Sequence, residues 1–313
     1  DRRALRRRAR GGPFLPYRPC NRRTPSGHLG LALRACGQSL RHSRAAANVV
    51  RGVLHQRERL MHRLSLLVLM TCLGCGNSGP GGGYGDAQER IRGFLQAERY
   101  TRLVAEVDYI RGHGPEDGAS EDVIAQVEPL VHKPDGVEVD IDDAIPSKGA
   151  DHVWTSRQIE ELFVRYTDPL SRSDTIRMHT IFVDGNYEAD TDRVKILGIA
   201  WGYRNIVLFK DTLLGACQTS PPDPSLCRTI ESSVWIHEVG HLFGLVDNGT
   251  PMVRDHKDEA HGAHCDRTSC VMYWTQADTS IAQAVRQRLS MGLRGPMRFD
   301  QDCLDDLEQM RNR

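Results

Sequence analysis

Apolar residues recur along the chain with two different periods, and the periods mark the elements. Residues 87–100, AQERIRGFLQAERY, carry apolar positions at helical spacing and predict a short amphipathic helix. LVAEVDYI at 103–110 and VEVDI at 137–141 read as extended, the second alternating Val137, Val139 and Ile141 with acids. Thr155-Ser-Arg-Gln158 has the form of a capping box. It opens a helix, SRQIEELFVRYT, that sets Ile159, Leu162, Phe163 and Tyr166 on one face. IRMHTIFVDG (176–185) and ILGIAWGYRNIVLF (196–209) are β-rich, and Ser232–Val246 is the strongest helical stretch. A last helix, DQDCLDDLEQM, turns Cys303, Leu304 and Leu307 inward. This order predicts one α/β (α+β) domain over 87–313, with a mixed twisted sheet and a C-terminal helix.

The chain before residue 87 follows different rules. Met61-His-Arg leads into LSLLVLMTCLGC, an apolar run too short to span a bilayer but of the length of a signal-peptide core. We expect a signal segment over 61–74, a Gly-rich tether over 75–86 (GNSGPGGGYGD follows Cys75), and a translation start at Met61. Residues 1–60 are then an Arg-rich stretch, disordered or not translated. The competing expectation is a buried element at 64–73 with Cys72 and Cys75 as a C-x-x-C pair. Leu73-Gly74-Cys75 resembles a bacterial lipobox, with Cys72 where that pattern prefers Leu. The resemblance implies lipidation of Cys75 and anchoring to a bacterial envelope membrane.

Charge separates the same regions. The formal net charge is zero, yet 16 of the 41 basic residues and 2 of the 41 acids precede Cys75. The remainder keeps 25 basic against 39 acidic groups, a net charge near −14 that argues against binding nucleic acid or anionic lipid by charge.

Residues 235–247, WIHEVGHLFGLVD, carry the chemistry. On a helix His237 and His241, four apart, point to the same side and can share one metal ion. Glu238 sits beside them, placed to take a proton from a water that the metal activates. Gly244 can adopt a left-handed conformation and turn the chain back, bringing a third ligand to the metal from beyond the helix.

H-E-x-x-H-x-x-G-x-x-[H/D] followed by a methionine turn resembles the metzincin clan of zinc peptidases. Asp247 stands at that pattern's third-ligand position. Residues 264–272, HCDRTSCVM, are similar to the archaemetzincin signature H-C-x4-C-x-M, here displaced by the 17 residues 247–263. If those are an insertion, His264 is the third ligand and Met272 the methionine turn. We favour His264, since imidazole suits a site that already has two histidines. Asp247 stays open as the alternative, or as a residue that orients a histidine. His256 and His261 lie in the same polar segment, where a solvated surface position is the simpler expectation, and Glu259 would need a second helix that N-G-T-P disfavours.

The resemblance implies a Zn2+-dependent endopeptidase acting on a peptide or protein substrate, with Glu238 as general base and Tyr273 placed to donate to a developing oxyanion. It also implies that the substrate lies along an edge strand, for which ILGIAWGYRNIVLF is the candidate. The alternative from another class is a catalytically silent, zinc-binding envelope lipoprotein; an intact Glu238 argues against it. Cys217 and Cys227 flank a Pro-rich loop that a disulfide could close in an oxidising compartment. Archaemetzincins complete a second, cysteine-bound zinc with a later C-x-x-C. This chain offers only Cys303, so a Cys265–Cys270 disulfide is expected instead.

Overall fold

The computed structural model describes residues 84–218, 223–277 and 280–313. The expected signal segment, the lipobox-like Leu73-Gly74-Cys75 and the Arg-rich stretch lie outside them. Among the described residues no helix is long and apolar enough to cross a membrane.

A five-stranded sheet forms the centre, in the order β2-β1-β4-β7-β6. Its strands are β1 (Arg102–Ile110), β2 (Val137–Ile145), β4 (Thr175–Val183), β6 (Gly198–Trp201) and β7 (Asn205–Phe209). The pairs β1–β2, β1–β4 and β4–β7 are parallel, and β6 runs antiparallel to β7 at one edge. A two-stranded parallel pair, β3 (Val153–Trp154) and β5 (Asn186–Tyr187), lies beside it. The mixed α/β architecture agrees with the expectation from sequence.

Period two in the strands decides which side chains meet which helices. On one face Leu103, Ala105, Val107, Met178, Phe182, Ile206 and Leu208 join the larger core. Against that face lie α1 (Tyr84–Leu95), α2 (Ala119–Val127) and α5 (Pro224–Leu242). On the other face Ile110, Ile181, Val183, Val207 and Phe209 meet α3 (Ser156–Tyr166) through Ile159, Leu162 and Phe163. The expected capping box is present: Gln158 N–H donates to the Thr155 side chain, and the Gln158 side chain bonds the Thr155 backbone N–H.

Several elements depart from the expectation. The first helix spans Tyr84–Leu95, so it begins inside the expected tether and ends early. The β-rich stretch 196–209 is a hairpin, with β6 and β7 joined by a tight turn, because an alternating pattern does not report a reversal of direction. Helices α2, α4 (Lys210–Ala216) and α6 (Ile281–Ser290) were not anticipated; α2 is nine residues long and buries only Ala119, Val123 and Val127. The C-terminal helix α7 (Gln301–Arg311) buries Cys303, Asp306, Leu307 and Met310, with Leu304 only partly covered. Cys217 and Cys227 are disulfide-bonded, which ties the end of α4 to α5.

Candidate metal centre

Helix α5 begins at Asp223, whose side chain accepts from Ser225 N–H, with Pro224 in the first turn. From Ile230 to Leu242 it is buried on all sides, as a helix through the middle of a core must be. Trp235 fixes its rotation: Nε1 donates to Thr180 Oγ1 of β4 at 3.0 Å, and the ring meets Phe182 edge-on.

That rotation points His237 and His241 to one side. Their rings are 4.7 Å apart, with the two Nε2 atoms at 3.1 Å. Past α5 the chain turns at Gly244, which adopts φ +69°. A Cβ there would meet Thr250 N at 2.9 Å. The chain then returns through residues 256–272 and brings His264 to the pair, its ring 5.1 Å from His237 and 5.0 Å from His241. One ligand atom from each of His237, His241 and His264 lies within 4.8 Å of the others, as a metal site requires.

Backbone carbonyls set two of the rings. His237 Nδ1 donates to Val271 O at 2.7 Å and His264 Nδ1 to His261 O at 2.6 Å, so each presents a bare Nε2 inward. His264 Nε2 is buried and has no hydrogen-bond partner, and the same holds for His241 Nδ1. A buried ring nitrogen without a partner is costly unless something else satisfies it. Three imidazoles converging on one point fit a divalent cation of zinc's type.

Burial, then mutual repulsion, holds these imidazoles neutral, the form that binds metal. His237 is pulled down to about 3 by burial and the neighbouring His264. His241 is lowered well below its usual range by burial and by His237 and His264, and His264 is lowered chiefly by burial. Glu238 is 2 % exposed, and burial pushes its carboxyl up to about 8 against a hydrogen bond from the Ala200 backbone. A bound cation would bring it back down.

Met272 is fully buried beneath the helix, at Gly240. Tyr273, next in the chain, is half-buried, and its ring contacts Trp274 at 5.9 Å. Asp247 does not join the histidine trio. It sits at φ +58° just past the turn, and its half-exposed carboxylate ion-pairs with Lys257 at 3.5 Å. Glu259 is exposed in a turn, and His261 bonds Asp258 while stacking on Trp274 at 4.3 Å.

The remaining cysteines correct the sequence reading. Cys265 and Cys270 form no disulfide; both are free and buried, as is Cys303. His256 is 1 % exposed rather than solvated, and its Nδ1 lies 3.3 Å from Cys265 Sγ. Its own segment has no apolar periodicity to signal burial, so only the pairing of distant residues exposes it. A third group of possible ligands, Glu106, Asp108 and His179, lies under α3 and is already satisfied. His179 bonds Asp108 at 2.8 Å and Thr167 at 2.9 Å, and Glu106 pairs with Arg177.

No family model and no curated protein sequence matches the chain. Among solved structures it is similar to an archaemetzincin from Methanopyrus kandleri, with a TM-score of 0.46 and 17 % identity over 68 % of this chain and 97 % of that one. It is also similar to a zinc-dependent peptidase from Methanocorpusculum labreanum, with a TM-score of 0.41 and 15 % identity over 65 % and 99 %. Metalloproteinase-II from Bacteroides fragilis matches with a TM-score of 0.38 and 13 % identity over 73 % of this chain and 61 % of that one.

Proposed function

We propose that this protein is a zinc-dependent endopeptidase in which His237, His241 and His264 hold the metal and Glu238 is the general base. The supporting observation is the trio itself: three converging imidazoles, two of them with a buried ring nitrogen that has no partner, next to a buried carboxyl. Zinc, when bound, would polarise the scissile carbonyl and acidify a water. Glu238 takes the proton of that water and returns it to the departing amine. Ala200 N–H, donating to the Glu238 carboxyl, holds the base against strand β6. β6 is an edge strand, and among the described residues its outer side is paired with no other strand. An extended peptide laid along it would pass beside Glu238, bound through its backbone and with little sequence preference. Tyr273 is the proposed oxyanion donor.

The experiment is cleavage of an unfolded protein substrate, read as new N-termini, by the purified protein before chelation, after chelation, and after one zinc per chain is restored. Cleavage that disappears and returns supports the proposal. A zinc-loaded protein that cuts nothing across a peptide library would instead make it a silent zinc-binding module.

We further propose that the protein is exported and lipid-anchored at Cys75, on the strength of Leu73-Gly74-Cys75 and of a disulfide between Cys217 and Cys227. Cys75→Ser should move it from the membrane to the soluble fraction; unchanged membrane association would remove the anchor from the account.

A further inference from the structure

Residues 75–313 carry a net charge near −14, yet the stretch from Ser280 to Phe299 holds four arginines and no acid. Most of its first half is α6, and its far end is pinned to the core. Met297 and Phe299 are buried there, and Met297 N–H donates to Ser233 Oγ of α5 at 2.9 Å. Between these fixed ends the chain makes a projecting tip. Residues 290–294 are all exposed, with Met291 at 61 % and Leu293 at 47 %. Gly292 and Gly295 adopt φ +80° and +76°, and a Cβ on either would meet nothing within 4 Å, so the turn stands in open space.

The backbone of the tip is already satisfied by the helix before it. Met291 N–H donates to Arg288 O at 3.1 Å, Gly292 N–H to Leu289 O at 3.0 Å and Leu293 N–H to Arg288 O at 3.0 Å. Two apolar side chains therefore project from amides that need no water, as entry into an apolar interface requires. The arginines beside them lack acidic partners. Among the described residues Arg288, Arg294 and Arg298 form no ion pair, and Arg288 Nε is buried with no hydrogen-bond partner. Burial, then the charge of nearby Arg298, pulls Arg288 down from its usual range. Arg294 acts on Asp223, whose carboxyl the Ser225 hydroxyl chiefly holds low. Arg286 donates to Ala216 O and Gln218 O, both at 3.3 Å.

We propose that this tip docks on the surface of an anionic bilayer, with Met291 and Leu293 entering the headgroup boundary and the neighbouring arginines on lipid phosphates. A soluble polyanion would satisfy the arginines and leave Met291 and Leu293 in water, whereas a bilayer takes up both. The acidic remainder of the domain is repelled by the same surface, so the domain is held by its tip and in one orientation. A few arginines and two apolar side chains make a reversible contact that yields to salt. The tip thus orients a domain that a lipid at Cys75 would anchor, and its binding requires neither that lipid nor zinc.

The test uses the protein expressed from Met61 with Cys75→Ser, and vesicles of phosphatidylcholine with and without phosphatidylglycerol. Cosedimentation should occur with the anionic vesicles, fall as salt rises, and be weak on the neutral ones. Met291→Ser and Leu293→Ser should each weaken it by about tenfold, and Arg298→Gln by about fivefold. Leu293→Trp should strengthen it, and emission from the added indole should shift to the blue on anionic vesicles alone. A merely structural role for the tip would give no such shift. Residues 61–83 are common to all variants, so differences among them report the tip. Equal binding to neutral vesicles, or no loss in the serine variants, would overturn the proposal. So would equally tight retention by polyphosphate that the serine variants leave unchanged, since the arginines would then be a plain polyanion site. Vesicle binding by a protein that cuts no peptide supports this docking and fails only the peptidase reading.

Discussion

Met272 lies so close beneath Gly240 that a single added carbon on the glycine would fall inside its sulfur. Phe299 would stand 2.9 Å from the same carbon. The helix that carries His237 and His241 rests on this methionine, and only a residue without Cβ lets it approach. Gly240→Ala should therefore destabilise the fold by about 1–3 kcal/mol, typical of overpacking a full core, and should lower zinc retention because Val271 and Met272 shift together. Thermal unfolding and metal content check it. An alanine variant with native stability would mean that the methionine does not support the helix.

The third ligand separates two single substitutions. His264→Ala leaves a two-histidine site and should lose zinc affinity by more than the roughly 100-fold that loss of an orienting group can cost. Asp247→Ala removes only a half-exposed ion pair with Lys257, a kind of contact worth about 0–1 kcal/mol, and should keep its zinc. Competition with a chromophoric chelator measures both. The opposite ordering would return the site to the uninterrupted H-E-x-x-H-x-x-G-x-x-D pattern.

Metal-free protein should show a pH-dependent gap between the wild type and Glu238→Gln. Burial raises the Glu238 carboxyl from 4.5 to about 8. Between those values the folded chain keeps a proton that the unfolded chain has lost. Stability from this group is present in full below 4.5 and is lost as pH rises toward 8. Glutamine carries no such proton, so the variant's advantage in melting temperature should widen across that window. The trio histidines act with the opposite sign: His237, lowered from 6.5 to about 3, costs stability as pH falls through that range, equally in both proteins. A gap that stays constant with pH would show that Glu238 is not buried as described.

The sequence exposed the local parts of the site and concealed the distant ones. H-E-x-x-H-x-x-G works within three helical turns, so His237, Glu238, His241 and the turn at Gly244 could be read directly. His264 was within reach because H-C-x4-C-x-M ties it to Met272, which lies under the helix. The burial of His256 was not legible, because no periodicity marks its segment and its partners Cys303 and Asp306 lie on α7 at the far end of the chain. The strands of the sheet were legible where β1 and β4 alternate between two covered faces. The β6–β7 hairpin read as one stretch because both arms share the same alternation, and α2 and α6 were too short to rise above the background of charged residues.

The most direct measurement is zinc content and peptide hydrolysis of Glu238→Gln beside the wild type. A general base that is not a ligand contributes typically 10²–10⁴-fold to rate and nothing to metal retention. The account predicts zinc content equal to the wild type with hydrolysis reduced by about that factor. Equal loss of zinc and hydrolysis, or hydrolysis left intact, would contradict it.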